Sequence, residues 1–553
     1  MRPLFRPLLY TLLAYALYLS GLGRVGLVGP DEPRYADVAR GMLRLGDYIT
    51  PHLYGVPWFE KPPLYYWLTA LTFRLGINEL TARLPSALAA IIFLGFWFWF
   101  ARRYYGDCAA KFSCLILATT VGWIGFGRAA AMDMLLATTL SAAIALLAIG
   151  LWEKRPAGLY GFYALLGVAT LAKGPLALVL GGMVLLAYVI HRREWNIFPA
   201  ILKTPAVALF AAIALPWYLL CYGRNGMPFI EEFFIRHNLQ RLLSAETIGH
   251  PQPFWFYLPI LLAGLFPWAP TLLLPLWDTW RMGWRRLTES PQRVLLIYWV
   301  ALPFVFFSLS ENKLPGYLLP ILPPLTLWIG HSYSEHYAPE SSGNTFARAT
   351  IGASVILLLG APLLVLLLPG ALSIGLRRAL VPASESGIWR EILQGPVPVI
   401  AWMILAGLVA FSLTLLWRRR ILGGAFVGVF GVVWVVLLLT TYLSPAINRV
   451  ASVRTAAQRI ASYDPAPGEL AVLNLHRNQV FGLGFYLEDL PPEWLPEMPA
   501  PFIQYVAARD NIPVDELHPG AHSLSLFPGQ HLRLWRLRPR SHWELEPAGW
   551  PRK

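Results

Sequence analysis

The sequence predicts an all-α polytopic membrane domain followed by a small mixed α/β domain, and three observations carry that prediction. Of the 553 residues, 56% are hydrophobic and only 14% are charged, against about 25% charged in an ordinary soluble domain. Apolar runs that can cross a hydrocarbon core of roughly 30 Å, about 20 helical residues each, recur through about four fifths of the chain. From residue 444 the pattern changes to short strand-like runs set between Pro- and Gly-bearing turns. The first part has to be helical, because lipid offers no partner to free backbone groups. A run such as Val355 to Leu368 also lacks the polar residue at every second position that an outer-membrane barrel requires.

The first expected span, 8–28, follows Arg2 and Arg6. No small-residue cleavage site stands before Pro30, so it reads as a retained span and not as a removed signal. Further spans are expected near 81–101, 110–127, 132–151, 157–172, 175–190, 203–222, 254–274, 293–309, 315–331, 348–369, 397–417 and 421–443, roughly thirteen in all. Arg102, Arg103, Lys111, Lys154, Arg155, Arg192, Arg193, Arg281, Arg285, Arg286 and Arg418 to Arg420 fall in alternate connections. The positive-inside rule then makes the N-terminus cytoplasmic and puts the tail outside, in the periplasm if the membrane is a Gram-negative inner membrane.

Four outer segments are too long for simple turns: 29–80, 223–253, 370–396 and the tail. The first is rich in aromatics, namely Tyr35, Tyr48, Tyr54, Trp58, Phe59, Tyr65, Tyr66 and Trp67. They are expected to anchor short helices at the lipid interface. The boundary at 443/444 divides a transmembrane domain, 1–443, from a C-terminal domain, 444–553. That domain has strand-like Leu470 to Leu475 and Leu532 to Leu537 and a helical pattern around Ala451 to Ile460. At about 110 residues it can bury a core of its own.

Several function classes drop out. The net charge of +14 is dispersed between apolar runs, where membrane topology accounts for it, so no nucleic-acid partner is expected. Cys108, Cys114 and Cys221 have no metal-ligand spacing and read as packing residues. There is no Gly-rich phosphate loop ending in Lys-Ser or Lys-Thr and no G-x-S-x-G elbow, which removes an ATPase, a serine hydrolase and a nucleotide cofactor. An activated donor would have to arrive already attached to lipid.

The remaining signal is charge at the outer membrane border. Gly29-Pro30-Asp31-Glu32-Pro33-Arg34-Tyr35-Ala36-Asp37 follows the first span, and Phe59-Glu60-Lys61-Pro62-Pro63 closes the same loop. Arg128 and Asp133 come next, then Lys173, then Arg236, His237 and His250, then Glu311, Lys313 and Tyr317. Taken singly, Asp31 could be an ordinary first-turn acid and each of the others an ordinary interfacial charge. Taken together, charges on successive outer turns predict a shared site, because charge at membrane depth is costly. Arginine and lysine suit an anionic lipid phosphate, and a carboxylate or a metal suits its acceptor. Glu60 with a loop histidine is the candidate pair for a divalent ion.

Pro30-Asp31-Glu32 with Arg34-Tyr35, Phe59-Glu60-Lys61-Pro62, Lys173-Gly174 and Lys313-Leu314-Pro315-x-Tyr317-x-Leu319 resemble the bacterial aminoarabinose transferases of lipid A. These belong to the C-type membrane glycosyltransferase superfamily, which also holds the protein O-mannosyltransferases. The resemblance implies transfer of 4-amino-4-deoxy-L-arabinose from undecaprenyl phosphate to a lipid A phosphate, with loss of surface charge and resistance to polymyxin and other cationic peptides. It implies Asp31 and Asp133 as catalytic carboxylates. Arg34, Tyr35, Lys61, Arg128, Lys173, Lys313 and Tyr317 become the lipid-phosphate and substrate-binding set, and Glu60 and His237 hold a divalent metal of the zinc or magnesium/manganese class. The implied partners are the donor lipid, lipid A and membrane lipids, with the chain a monomer. Asp133 is followed by Met134, where that pattern has proline.

Two other readings compete. A sister enzyme would use the same donor class on a protein hydroxyl or another glycan. A flippase or transporter would place its charges near the midplane and show a duplicated half, and the span pattern shows neither.

Overall fold

The computed structural model describes residues 5–202, 205–240, 251–337, 344–367, 399–494, 503–518, 520–527 and 530–537. The expected outer segment 370–396 and His250 lie outside them. The chain divides into two compact units, one of residues 1–22, 38–371 and 396–442, the other of residues 23–37, 372–395 and 443–553.

The first unit is helical. Among the described residues six helices are long and apolar enough to cross a membrane, or eight if each of two bent pairs is one span. Large apolar side chains such as Ile92, Leu219 and Leu309 stand mostly exposed on these helices. That is costly in water and ordinary in lipid. The helix Asp133–Glu153 is almost wholly buried. Its small residues let a neighbour close on it: a Cβ on Gly158, in the adjacent helix Pro156–Lys173, would stand 2.4 Å from the Gly150 nitrogen.

Three expected spans are not single straight helices. Asp107–Thr119 and Val121–Gly127 meet at 59°, and Phe254–Gly264 and Ala269–Gly283 at 114°. At the first break Thr120 is extended and caps the second helix by accepting from the Trp123 amide, while the Val121 amide donates to the Phe266 carbonyl at 2.9 Å. The expected span 315–331 is a 3-10 helix, Pro315–Ile321, followed by Leu322–Glu335. Pro315, Pro320, Pro323 and Pro324 remove the amides that a continuous α-helix would use.

The second unit holds a four-stranded mixed sheet in the order Leu470–Leu473, Tyr505–Arg509, Leu532–Arg536, His522–Phe527. The first pair is parallel and the others antiparallel. Alternation along the strands builds a core on each face. Leu470, Val472, Tyr505, Ala507, Leu532 and Leu534 pack with Val453, Ala457, Ile460 and Leu483. Ala471, Val506, Ala508 and Trp535 pack with Trp494 and Val514. The helical elements of the first face are Arg454–Ala461 and Arg477–Leu487.

Residues 23–37 fold with this unit. The Gly26 amide donates to Asn448 Oδ1 at 2.7 Å, Asn448 Nδ2 donates to the Arg24 carbonyl at 2.7 Å, and the Leu27 amide donates to the Tyr486 hydroxyl at 2.7 Å. Gly26 has to be glycine, since a Cβ there would meet Ser452 Oγ at 2.2 Å.

Candidate functional site

In the first unit the candidate residues gather around the turn that ends the helix Pro156–Lys173. Lys173 is its last residue, and Gly174 leaves the helix at φ +79 while donating to the Thr170 carbonyl at 2.8 Å. The positive φ favours glycine. Crowding favours it again: a Cβ would lie 3.2 Å from Phe233, 3.5 Å from Asn238 Oδ1 and 3.8 Å from Pro62. The Lys173 turn, the Phe-Glu-Lys-Pro segment and the helix Ile230–Gln240 are therefore close neighbours.

Lys173 makes a short ion pair with Asp133, and its ammonium lies 4.9 Å from the centre of the Tyr317 ring. Lysine and carboxylate are 9% and 18% exposed, so the pair is shielded but reachable. Gly316 makes room for it, because a Cβ there would stand 2.7 Å from Asp133 Oδ1. Asp133, Lys173 and the Gly316-Tyr317 pair, far apart in sequence, thus form one constellation.

Beside it lies a second pairing. Lys61 Nζ is 3.5 Å from Glu60 Oε1, with Glu60 buried. Both act electrostatically on His237, whose Nε2 is 3.0 Å from Glu232 Oε1. Ile230–Gln240 is a π-helix, in which residues five apart share a face, and this aligns Glu232 with His237. An aromatic cluster of Phe59, Trp217, Phe229 and Phe233 with Leu171 and Cys221 holds the segment in place. Phe59 meets Phe229 edge-on at 5.5 Å, and Trp217 Nε1 donates to the Ile49 carbonyl at 2.9 Å.

Burial pulls the His237 pKa below the ordinary histidine value against the opposing pull of Glu60. Its Nδ1 is buried with no hydrogen-bond partner. A neutral imidazole with one uncommitted nitrogen, next to a carboxylate, fits a divalent ion of the zinc class. Among the described residues no three His, Cys, Asp or Glu side chains stand close enough to hold a metal by themselves.

Two other expected site cations face backbone. Arg128 donates to the Leu17 carbonyl at 3.0 Å and the Ser20 carbonyl at 2.7 Å. These belong to the end of the first helical segment, where carbonyls lack intrahelical partners. Lys313 is buried and donates to the Gln252 carbonyl at 3.0 Å and to the Ser310 carbonyl. Burial lowers its pKa, and Glu311 acts in the opposite sense. Among the described residues neither cation has a carboxylate within ion-pair distance.

The expectation for the loop aromatics needs correction. Tyr35, Phe59, Tyr65 and Tyr66 are buried, not spread along an interface. Tyr65 illustrates the reason, since its hydroxyl donates to the Ala82 carbonyl at 2.7 Å and can therefore be enclosed without loss.

In the second unit Asp31 opens the helix Asp31–Leu45. Its half-exposed carboxylate receives Arg34 Nη2 at 2.5 Å, across one helical turn, and Arg34 is buried. The Arg34 guanidinium lies 5.2 Å from the Tyr35 ring centre and 5.7 Å from that of Phe481. Glu32 Oε2 accepts from the Val28 amide at 2.8 Å. Sequence reasoning missed Glu232, Phe481 and Asp47. Asp47 Oδ1 accepts from the Ile49 amide at 2.9 Å, the Thr50 amide at 3.1 Å and Arg224 at 2.9 Å. Burial tends to raise the Asp47 carboxyl, but these donors outweigh it and hold the pKa below the usual range. The Asp47-Tyr48-Ile49-Thr50 stretch carries a readable turn signal; the other two have no sequence signature.

Four similarities bear on this arrangement. A family model for dolichyl-phosphate-mannose-protein mannosyltransferases matches residues 60–219. The undecaprenyl phosphate-alpha-4-amino-4-deoxy-L-arabinose arabinosyl transferase of Edwardsiella ictaluri is 31% identical over 401 residues, covering 70% of this chain and 69% of that one. The enzyme of that name from Pseudomonas aeruginosa is 35% identical over 333 residues, and the match spans 58% of each chain. The crystal structure of ArnT from Cupriavidus metallidurans bound to undecaprenyl phosphate superposes with a TM-score of 0.75 at 25% identity, over 96% of this chain and 98% of that one.

Proposed function

Because the chain belongs to the undecaprenyl phosphate-alpha-4-amino-4-deoxy-L-arabinose arabinosyl transferase family, we propose that it moves 4-amino-4-deoxy-L-arabinose from undecaprenyl phosphate to a phosphate of lipid A. The observation that carries the reading is Lys173, a shielded ammonium held between the Asp133 carboxylate and the Tyr317 ring. An oxygen of the acceptor phosphate attacks the anomeric carbon, the bond from that carbon to the donor phosphate oxygen breaks, and undecaprenyl phosphate leaves with the electron pair. Lys173 and Lys61 stabilise the leaving phosphate, and Tyr317 shapes its seat. The acceptor is already an anion, so Asp31 and Asp133 orient and balance charge and need not remove a proton. Arg34 and Tyr35 place Asp31. Arg128 and Lys313 act indirectly, by fixing the turns on which the other residues stand.

A divalent ion belongs to this reading, held by His237 and Glu60. It would supply Lewis-acid stabilisation to a phosphate oxygen. The protein crosses an inner membrane roughly thirteen times, with the N-terminus cytoplasmic and the site and the C-terminal domain periplasmic. It acts as a monomer. The positive-inside charge pattern and the fold shared with the Cupriavidus structure support this placement.

The test is complementation of a strain that lacks the activity, read by mass spectrometry of lipid A. Wild-type protein adds one aminopentose to a lipid A phosphate, and Asp31→Asn, present in the membrane at normal level, does not. Lipid A of unchanged mass with the wild-type protein would sink the proposal. It would favour the second reading, transfer to a protein hydroxyl, to which the mannosyltransferase match over residues 60–219 lends support.

A further inference from the structure

Among the described residues of the second unit, Arg34, Arg459, Arg477, Arg533 and Arg536 lie against aromatic rings, and Arg477 shares its ring with Arg34 of the Asp31 motif. The Arg477 guanidinium lies 5.7 Å from the centre of the Phe481 ring, the distance at which Arg34 meets the same ring. Arg34 is buried and engaged by Asp31. Arg477 is exposed and, among the described residues, has no carboxylate partner. The two guanidinium groups are no further apart than twice their distance from the ring centre.

We propose that Arg477 is a specificity-determining residue that recognises the phosphate monoester of the acceptor. The inference rests on the transferase reading above. Arg477 and Phe481 are separated by four positions on the helix Arg477–Leu487, so the ring stacks against the guanidinium of its own helix and limits its freedom before any ligand arrives. Tyr486, on the same helix, accepts from the Leu27 amide at 2.7 Å, four residues before Asp31. One helix thus fixes both the arginine and the segment that carries the catalytic carboxylate.

The chemistry favours the acceptor over the donor. A lipid-linked sugar phosphate is a diester with one negative charge, whereas the accepting phosphate is a monoester with close to two near neutral pH. A planar guanidinium with two parallel donors matches the second better than the first. Arg34 cannot fill that role, because Asp31 already occupies it.

The experiment uses the full-length protein in proteoliposomes, with undecaprenyl-phosphate aminoarabinose as donor and lipid A as acceptor, each varied in turn. Arg477→Ala is expected to raise the KM for lipid A about tenfold, the worth of one charge-assisted contact, and to change the KM for donor less than about twofold. Arg477→Lys keeps the charge and loses the fork, and is expected to fall between. An acceptor KM that stays at the wild-type value in Arg477→Ala overturns the inference, as does a donor KM that rises as much as the acceptor KM. Should the alanine variant fail to fold, Arg477→Lys decides alone: a raised acceptor KM supports the role, and an unchanged one removes it. Wild-type protein that leaves lipid A unmodified would instead overturn the transferase reading itself.

Discussion

The Lys173 turn and the Arg128 turn differ little on paper. Each puts one cation at a helix end near the membrane border, next to a stretch of small residues. Their surroundings separate them. Lys173 meets a carboxylate from one helix and an aromatic face from a 3-10 turn, while Arg128 closes off two carbonyls at the end of the first helical segment. A cation at membrane depth is therefore not in itself a functional mark. What it donates to decides whether it meets substrate or holds backbone.

The largest effect expected to sharpen this contrast is that of Lys173→Met. It removes the charge proposed to steady the leaving phosphate, and the transfer rate should fall by about 100- to 1000-fold in a protein that still reaches the membrane. A residual rate within a few fold of wild type would put Lys173 in the same class as Arg128. Gly316→Ala comes next, since its Cβ would stand 2.7 Å from Asp133 Oδ1 and push the carboxylate from Lys173. A loss of roughly tenfold in kcat is expected from displacement by a fraction of an ångström, and single-turnover kinetics would read it.

A smaller effect is set by pH. Burial holds His237 below the ordinary value of about 6.5, so the imidazole is neutral at pH 7 and able to bind a metal. Metal occupancy, followed by equilibrium dialysis, should hold as pH falls from 8 to about 6.5 and drop only below it. The unfolded histidine takes up its proton first on acidification, so His237 also lowers native stability as pH falls below about 6.5. Occupancy that halves well above pH 6.5 would contradict the neutral-ligand assignment.

The smallest effect on rate is expected from Arg128→Met. Two carbonyls lose charged donors, which should cost about 2–3 kcal/mol of stability and lower the thermal midpoint by several degrees. The transfer rate per folded molecule should change less than about threefold. A large rate loss at an unchanged midpoint would return Arg128 to the substrate-binding set.

Much of this protein was readable in one dimension, because the lipid solvent leaves few options. The apolar runs had to become helices, and Asp31 and Arg34, three positions apart, could pair across a single helical turn wherever that helix went. The family resemblance marked Lys173 together with Gly174. By contrast, nothing along the chain distinguishes Lys173 from Lys313, or Arg477 from the other arginines of the tail. The pairing of His237 with Glu232 was hidden for a specific reason: five-residue spacing faces together only in a π-helix, and the ordinary i+4 rule passes over it.

The amino-acid sequence by itself determined the solvent, the helical class, the change of character at the tail and the residue types available for phosphate chemistry, since those follow from composition and from local backbone preference. Tertiary structure alone decided which cations meet carboxylates and which meet carbonyls. An extended, capping Thr120 and the prolines of two later segments turned three expected spans into bent or short helices, and close approaches at Gly174 and Gly316 brought distant segments within contact. Electrostatic roles depend on distances of a few ångströms between residues a hundred positions apart, and only packing sets those.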